Sequence, residues 1–387
     1  MHAFKKMVAR TLLFVAFIVG GVGGVPVSTA SAAEVGYTAT KYPIVLVHGL
    51  LGFDSILNGF IDYWYKIIPD LRSGGAQVYA TEVSGLNTTE ERGEQLLRQV
   101  QYILAATGAE KVHLIGHSHG GPTIRYVAAV LPDSVASVTT VAGLNTRGQP
   151  LADLVPAMEG KPVGGILKAA MEGLARLIDL LSGKKNAPED AFKAFKALNT
   201  EGMTAFNAKY PAGLPPADCN ELNGPEEVNG IRYYSWTGNA IFTHRFDPMD
   251  YVFGLTALLS RPLDPDDRTA SDGLVTVCAS RLGRQLGIYR QNHLDEINLF
   301  WGLVSPHDVS PVVIYREHAH RLKQAQVEAA WNYAYRFFFD FPIAFPWRLM
   351  KFWQDLEVWP LSRVLSDEGR AEFGKAFDYL AGEPVKW

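Results

Sequence analysis

Lys111-Val112-His113-Leu114-Ile115-Gly116-His117-Ser118-His119-Gly120-Gly121 is the stretch that decides the fold. An apolar, strand-like run ends at Gly116, and a helix-like stretch runs from Gly121 to Val130. Between them stands Gly-x-Ser-x-Gly, the layout of a nucleophile elbow, in which a tight turn lifts one serine out of the backbone. The turn is crowded, so a Cβ at Gly116 or Gly120 would strike the adjoining strand or helix. Ser118 is placed at the tip, its hydroxyl free to meet a partner base.

Outward from the elbow, strands and helices alternate. Pro43–Val47 is a β-branched apolar run that predicts a buried strand, followed by the loop His48-Gly49-Leu50-Leu51-Gly52. Gln77–Glu82 reads as a short strand. Thr88–Thr107 carries Leu96, Leu97, Val100, Ile103 and Leu104 on one helical face, with Thr88 and Glu91 as a capping box. Ser137–Val141 is the strand after the elbow helix. Such strand–helix–strand units predict a mostly parallel sheet with helices on both faces. Reactive groups then gather at the carboxyl ends of the strands, where the His48 loop and Ser118 both fall.

The composition, 48% hydrophobic and 20% charged over 387 residues, is that of a globular protein, and a net charge of -4 gives no reason to expect nucleic acid as a partner. Residues 1–32 read as a secretory signal peptide. Lys5, Lys6 and Arg10 precede an apolar stretch from Thr11 to Val25, and Ala30-Ser31-Ala32 offers a small-residue cleavage site. A retained anchor is the alternative, weakened by Gly20, Gly21, Gly23, Gly24 and Pro26. No other segment is long and apolar enough to cross a bilayer, so the expectation is export through the periplasm with no integral span. Cys219 and Cys278 are the only cysteines, and in an exported chain the pair is most simply a disulfide. The stretch 151–199 is read as helical, with a broad apolar stripe of Leu167, Met171, Leu174, Leu177, Ile178 and Leu181. It is expected either as a buried accessory helix or as an amphipathic lid.

A serine hydroxyl needs a base to take its proton and a carboxylate to orient that base. His113, His117 and His119 are too close in sequence to Ser118 to fold back onto its hydroxyl. His48 belongs to the loop assigned to an oxyanion hole, and His244 and His307 lie in less favourable positions. His318 and His320 sit in a charged helix-like segment and are read as solvated. His293, in a polar loop beyond a β-like segment, is the chosen base. Asp272, at a turn in Ser271-Asp272-Gly273-Leu274-Val275, is the chosen acid, ahead of Asp264, Asp266 and Asp267 in a Pro-rich loop. The oxyanion donors are expected to be the backbone N–H of His119 and one from the loop after Val47, most simply Leu50.

The segments Tyr42–Phe53, Gly75–Tyr79, Arg92–Leu97, Gly116–Pro122, Asn207–Pro211, Arg232–Trp236, Ser271–Val275 and Asn292–Glu296 together resemble the secreted triacylglycerol lipases of Pseudomonas and Burkholderia. The resemblance runs from about Tyr42 to Leu322 and implies an α/β-hydrolase fold. It places the triad on Ser118, Asp272 and His293, and the oxyanion donors on Leu50 and His119. It also implies one structural calcium ion, held by the carboxylates of Asp247 and Asp295 and by the main-chain carbonyls of Leu299 and Leu303. A lipid ester at an oil–water interface is the implied substrate, and a dedicated folding chaperone, usual in the family, the implied protein partner. Residues 33–326 would be the hydrolase domain.

Two departures stand out. Gly143-Leu144-Asn145-Thr146-Arg147-Gly148 differs from the usual family text. The tail 327–387 continues beyond the shorter family members with Trp331, Phe337, Phe338, Phe339, Trp347, Trp353 and other aromatics, expected either as an extra helical layer or as a docking surface. Alternative readings of the whole are an esterase or polyester depolymerase of the same fold, and a non-catalytic hydrolase-fold binding protein.

Overall fold

A computed structural model of the chain describes residues 36–53, 55–56, 61–154, 190–216, 223–247, 249–254 and 270–339, with scattered positions between 160 and 172. The expected signal peptide, the apolar stripe of the lid, Cys219, Asp264, Asp266, Asp267 and residues 340–387 lie outside the described residues, as do the side chains of 327–339. The chain divides into two compact units, Met1–Arg316 and Glu317–Trp387.

The first unit is built on one mostly parallel sheet. In chain order its strands are β1 (Ile44–Val47), β4 (Val78–Thr81), β5 (Val112–His117), β6 (Val135–Val141), β7 (Glu227–Val228), β8 (Ile231–Gly238) and β9 (Arg284–Tyr289). Their order across the sheet is β4-β1-β5-β6-β8, and both β7 and β9 pair with β8. Every pairing is parallel except β7 with β8. A separate two-stranded hairpin, β2 (Ser55–Ile56) with β3 (Ile61–Asp62), follows the His48 loop. Every residue of β1 and β5 is buried, as a strand covered by helices on both faces requires.

The predicted elements are present with small shifts at their ends. The helix α2 (Thr89–Thr107), preceded by α1 (Ile67–Ser73), buries Leu96, Val100 and Ile103. Leu97 and Leu104 are partly buried against the same core. Thr88 caps it by accepting from the Glu91 N–H at 3.2 Å. The elbow helix α3 (Gly120–Val130) buries almost its whole surface, because it lies beneath the sheet's centre. Within 151–199 the described structure comprises a 3-10 turn at Pro150–Leu154 and the helix α4 (Ala191–Leu198), followed by α5 (Thr200–Lys209). Ala191 and Ala194 of α4 are buried with Leu86, and Leu50, Leu51 and Phe195 pack around them.

The helix α6 (Pro311–Phe339) overturns one expectation: His318 is fully buried rather than solvated. It falls one helical turn from Ile314 and Leu322, which are buried along with Tyr315, Ala319 and Ala325. Helical spacing therefore puts His318 in the apolar stripe despite its charged neighbours in sequence. Among the described residues no helix is long and apolar enough to cross a membrane.

Candidate active site

The elbow is built on close backbone approach. A Cβ on Gly116 would come within 2.3 Å of the Gly120 carbonyl oxygen, and one on Gly120 within 2.3 Å of the Val47 oxygen. Ser118 itself has φ of 55°, a left-handed conformation that costs a non-glycine residue about 1–2 kcal/mol. The cost is offset locally. Ser118 N–H donates to the Val141 carbonyl at 2.9 Å, and its own carbonyl accepts from Gly121 N–H at 2.9 Å. Ser118 is half-buried at the carboxyl end of β5, as the elbow reading requires.

The expected base and acid meet. His293 Nδ1 lies 2.8 Å from Asp272 Oδ2, both side chains being buried. The other carboxylate oxygen, Oδ1, accepts from the N–H groups of Leu274 at 2.8 Å and Val275 at 2.7 Å. His293 N–H also donates to the Asp272 carbonyl at 3.0 Å, so backbone and side chain tie the two loops together. The interval between Asp272 and His293 is filled by turns and β9. Asp295, two residues on, points elsewhere, as expected.

Ser118 is brought to this pair through its neighbour. The His117 ring stacks tilted on the His293 ring with centroids 4.6 Å apart, and His117 Nε2 lies 2.9 Å from the His293 carbonyl oxygen. Among the described residues no hydrogen bond joins Ser118 Oγ to His293. Without substrate such contacts are commonly long and tighten in the complex. The remaining elbow histidines turn away from the serine: His113 Nδ1 is 2.8 Å from Ser137 Oγ, and His119 Nε2 is 3.0 Å from Thr89 Oγ1.

The loop after β1 lies directly against the serine, since a Cβ on Gly49 would stand 2.7 Å from Ser118 Cβ. Among the described residues no backbone carbonyl accepts from the N–H of Leu50 or of His119, which leaves both free to face a ligand oxygen. Arg92 braces this loop from inside the protein, and sequence reasoning did not find that role. Fully buried, it donates from Nη2 to the His48 carbonyl at 2.7 Å and to that of Gly49 at 3.3 Å. Its Nε reaches Thr123 Oγ1 at 3.3 Å, and its Nη1 donates to the Ser84 carbonyl. Lysine cannot span four acceptors from one ammonium on a flexible stem. Arg92→Lys is therefore expected to lower both stability and kcat, the stability by about 2 kcal/mol as buried carbonyls lose their donors. A denaturation curve read beside the turnover number checks this.

Under the His293 loop lies a nest of buried acids. Asn292 organises it: its Nδ2 donates to Asp247 Oδ2 at 3.1 Å and to Asp250 Oδ1 at 2.9 Å, and its N–H donates to Asp295 Oδ2 at 3.0 Å. Burial pushes the Asp295 carboxyl up to about 7, with added repulsion from Asp247 and Asp250, and burial raises Asp247 as well. Asp250, not singled out in the sequence, also accepts from the Thr243 and His244 N–H groups. Leu299 begins a helical turn, Leu299–Gly302, and Leu303 follows it. Glu296 is a further buried acid that the sequence reading passed over. It accepts from Gly238 N–H, and burial and the nearby Asp272 charge push its carboxyl well above the usual range.

The chain matches the α/β-hydrolase fold family over residues 42–212. A triacylglycerol lipase of Vibrio cholerae is 49% identical over 301 residues, covering 77% of this chain and 93% of that one. The chain belongs to the bacterial triacylglycerol lipase family. Further relatives are the triacylglycerol lipases of Burkholderia plantarii, 39% identical over 328 residues with 76% and 90% of the two chains covered, and of Pseudomonas fragi, 39% identical over 295 residues with 74% and 97% covered. Among solved structures, a metagenomic carboxyl esterase shares the fold at a TM-score of 0.53 and 18% identity, covering 79% of this chain and 82% of that one.

Proposed function

We propose that this lipase-family chain hydrolyses the carboxylic ester bonds of triacylglycerols through Ser118, His293 and Asp272. The observation that carries the reading is the 2.8 Å bond from His293 Nδ1 to Asp272 beside the Ser118 elbow. Ser118 Oγ attacks the ester carbonyl carbon while His293 Nε2 takes its proton. The tetrahedral oxygen then receives the Leu50 and His119 N–H groups, each worth about 3–4 kcal/mol in the transition state. Its collapse expels the glycerol oxygen, which takes the proton from His293. Water attacks the acyl-enzyme with His293 again as base, releasing the fatty acid and restoring Ser118. Asp272 holds the imidazole with its proton on Nδ1 throughout. The purified chain should release titratable acid from emulsified triacylglycerol in a pH-stat; activity on soluble p-nitrophenyl esters alone would make it an esterase instead.

We propose a structural calcium ion at this nest of acids, as the family resemblance implies. Among the described residues no three His, Cys, Asp or Glu side chains converge as a metal site, and the expected set needs only the carboxylates of Asp247 and Asp295 with the carbonyls of Leu299 and Leu303. Oxygen donors of this kind suit a hard cation, and the mutual repulsion of buried acids is what such a cation would offset. When bound, the ion supplies charge neutralisation and no chemistry at the ester. Asn292 immediately precedes His293 and is bonded to Asp295 two residues beyond it, so the nest would help set the position of the base. Chelation should lower the Tm and ester hydrolysis together, by about 2.7 kcal/mol of stability relative to calcium at 100 times its Kd. Asp295→Ala should reproduce both losses with calcium supplied. A Tm indifferent to chelator and to added calcium would remove the ion from this account.

The signal-peptide-like sequence of residues 1–32 supports reading the chain as an exported enzyme, in which the two cysteines would pair. A Cys219–Cys278 disulfide would close a loop of about sixty residues and contribute roughly 4 kcal/mol; Cys278 is buried.

A further inference from the structure

Two buried side chains, Tyr63 and His117, carry a directed chain of three hydrogen bonds behind the nucleophile. Gly49 N–H donates to the Tyr63 hydroxyl at 2.9 Å, Tyr63 Oη lies 2.8 Å from His117 Nδ1, and His117 Nε2 lies 2.9 Å from the His293 carbonyl oxygen. The proton positions follow from these partners. A carbonyl oxygen only accepts, so His117 Nε2 must carry a hydrogen. A neutral imidazole carries only one, so Nδ1 accepts and the Tyr63 phenol donates. Burial holds the His117 ring well below its usual range, hence neutral, and pushes the Tyr63 phenol upward, hence protonated. Tyr63 and His117 are almost fully inaccessible to solvent. The rings are also stacked edge-on, Tyr63 to His117 and Tyr63 to His48, each pair with centroids 5.9 Å apart.

The endpoints of the chain are what make it more than packing. Gly49 precedes Leu50, the proposed oxyanion donor, His117 precedes Ser118, and the last acceptor is the backbone of His293 itself. Each of the three reacting loops is thus held by a hydrogen bond to one rigid line of atoms. We propose that Tyr63 and His117 are positioning residues that hold the oxyanion loop, the nucleophile and the backbone of the base in mutual register for acyl transfer. The proposal rests on the reading of Ser118, His293 and Leu50 given above.

Tyr63→Phe is the informative variant, because it removes one oxygen and keeps the ring stacking. Its turnover should be measured on a soluble short-chain p-nitrophenyl ester and divided by the fraction of protein that a fluorophosphonate labels at Ser118. The expected result is a kcat per labelled site about 10- to 100-fold lower, the scale of a small misplacement of reacting groups, with KM nearly unchanged. His117→Gln, which can still donate to the His293 carbonyl, should retain more activity than His117→Leu. Its loss and that of Tyr63→Phe should not add in the double variant, since both break one chain. In wild-type protein, nitrogen NMR of the His117 ring should show the hydrogen on Nε2.

Unchanged kcat per labelled site in Tyr63→Phe, with only the Tm lowered, would overturn the proposal and leave the tyrosine a structural part. A loss that appears with one ester alcohol and vanishes with another would also overturn it, by putting the hydroxyl against the substrate. A hydrogen on His117 Nδ1 would reverse the chain's direction and sink it too. If wild-type protein labels at a serine other than Ser118, the underlying reading has failed first, and that result is distinguishable from all of these.

Discussion

Ser118→Ala is expected to abolish ester hydrolysis while leaving the protein folded. The loss should reach about 10⁶-fold in kcat, the scale on which a triad nucleophile acts, with a residue of rate enhancement left to the oxyanion donors. The side chain is half-buried at the tip of the elbow and removal of one oxygen leaves no large cavity. The backbone bonds that hold the turn, from Ser118 N–H to Val141 and from Gly121 N–H to Ser118, do not involve the hydroxyl. Alanine at φ of 55° bears the same strain as serine, so the Tm should move by less than about 1 kcal/mol equivalent. A fluorophosphonate should label the wild type at this serine alone and leave the variant unlabelled. Substantial activity in the variant, or a label elsewhere, would reject Ser118 as nucleophile.

The sequence made some parts of this site plain and hid others for a physical reason. The elbow is legible because its determinants are contiguous: an all-buried strand, two glycines forced by backbone contact, and an apolar helix follow one another within twenty residues or so. Asp272 and His293 were legible by elimination, since the rival acids and bases sat in worse local settings. What the sequence did not show are the contacts that bridge distant segments. Tyr63 and His117 are 54 positions apart, and His117 and His293 are 176 apart. Arg92 reads locally as one more polar residue at the start of a helix, yet it lies fully buried with its guanidinium on the His48 loop. His318 was misread for the converse reason, because charged neighbours in sequence point to other faces of the helix. Asp250 carries no motif, and Glu296 closes one that says nothing of its setting; only the fold shows that Asn292 gathers the first and that the second is fully buried.

Asp272→Asn is expected to lower kcat by about 10⁴-fold, the effect of putting a triad histidine in the wrong tautomer. The geometry explains why an isosteric change should do so much. Asp272 Oδ1 accepts from two backbone N–H groups, those of Leu274 and Val275. Reversing the amide would set an NH₂ against both donors, so asparagine must keep its oxygen there. Its NH₂ then occupies the place of Oδ2 and donates to His293 Nδ1, which has to give up its hydrogen and accept. The imidazole proton moves to Nε2, the atom that must be bare to take the proton of Ser118. The variant should fold, bind substrate with a similar KM and still be labelled by a fluorophosphonate, but slowly. Asp272→Ala makes a different prediction: no tautomer is enforced, a buried polar hole opens beside His293, and the Leu274 and Val275 N–H groups lose their acceptor. It should cost more stability than Asp272→Asn, by about 1–3 kcal/mol. Near-normal turnover in Asp272→Asn would show that a different carboxylate orients His293 and would dismantle the assignment.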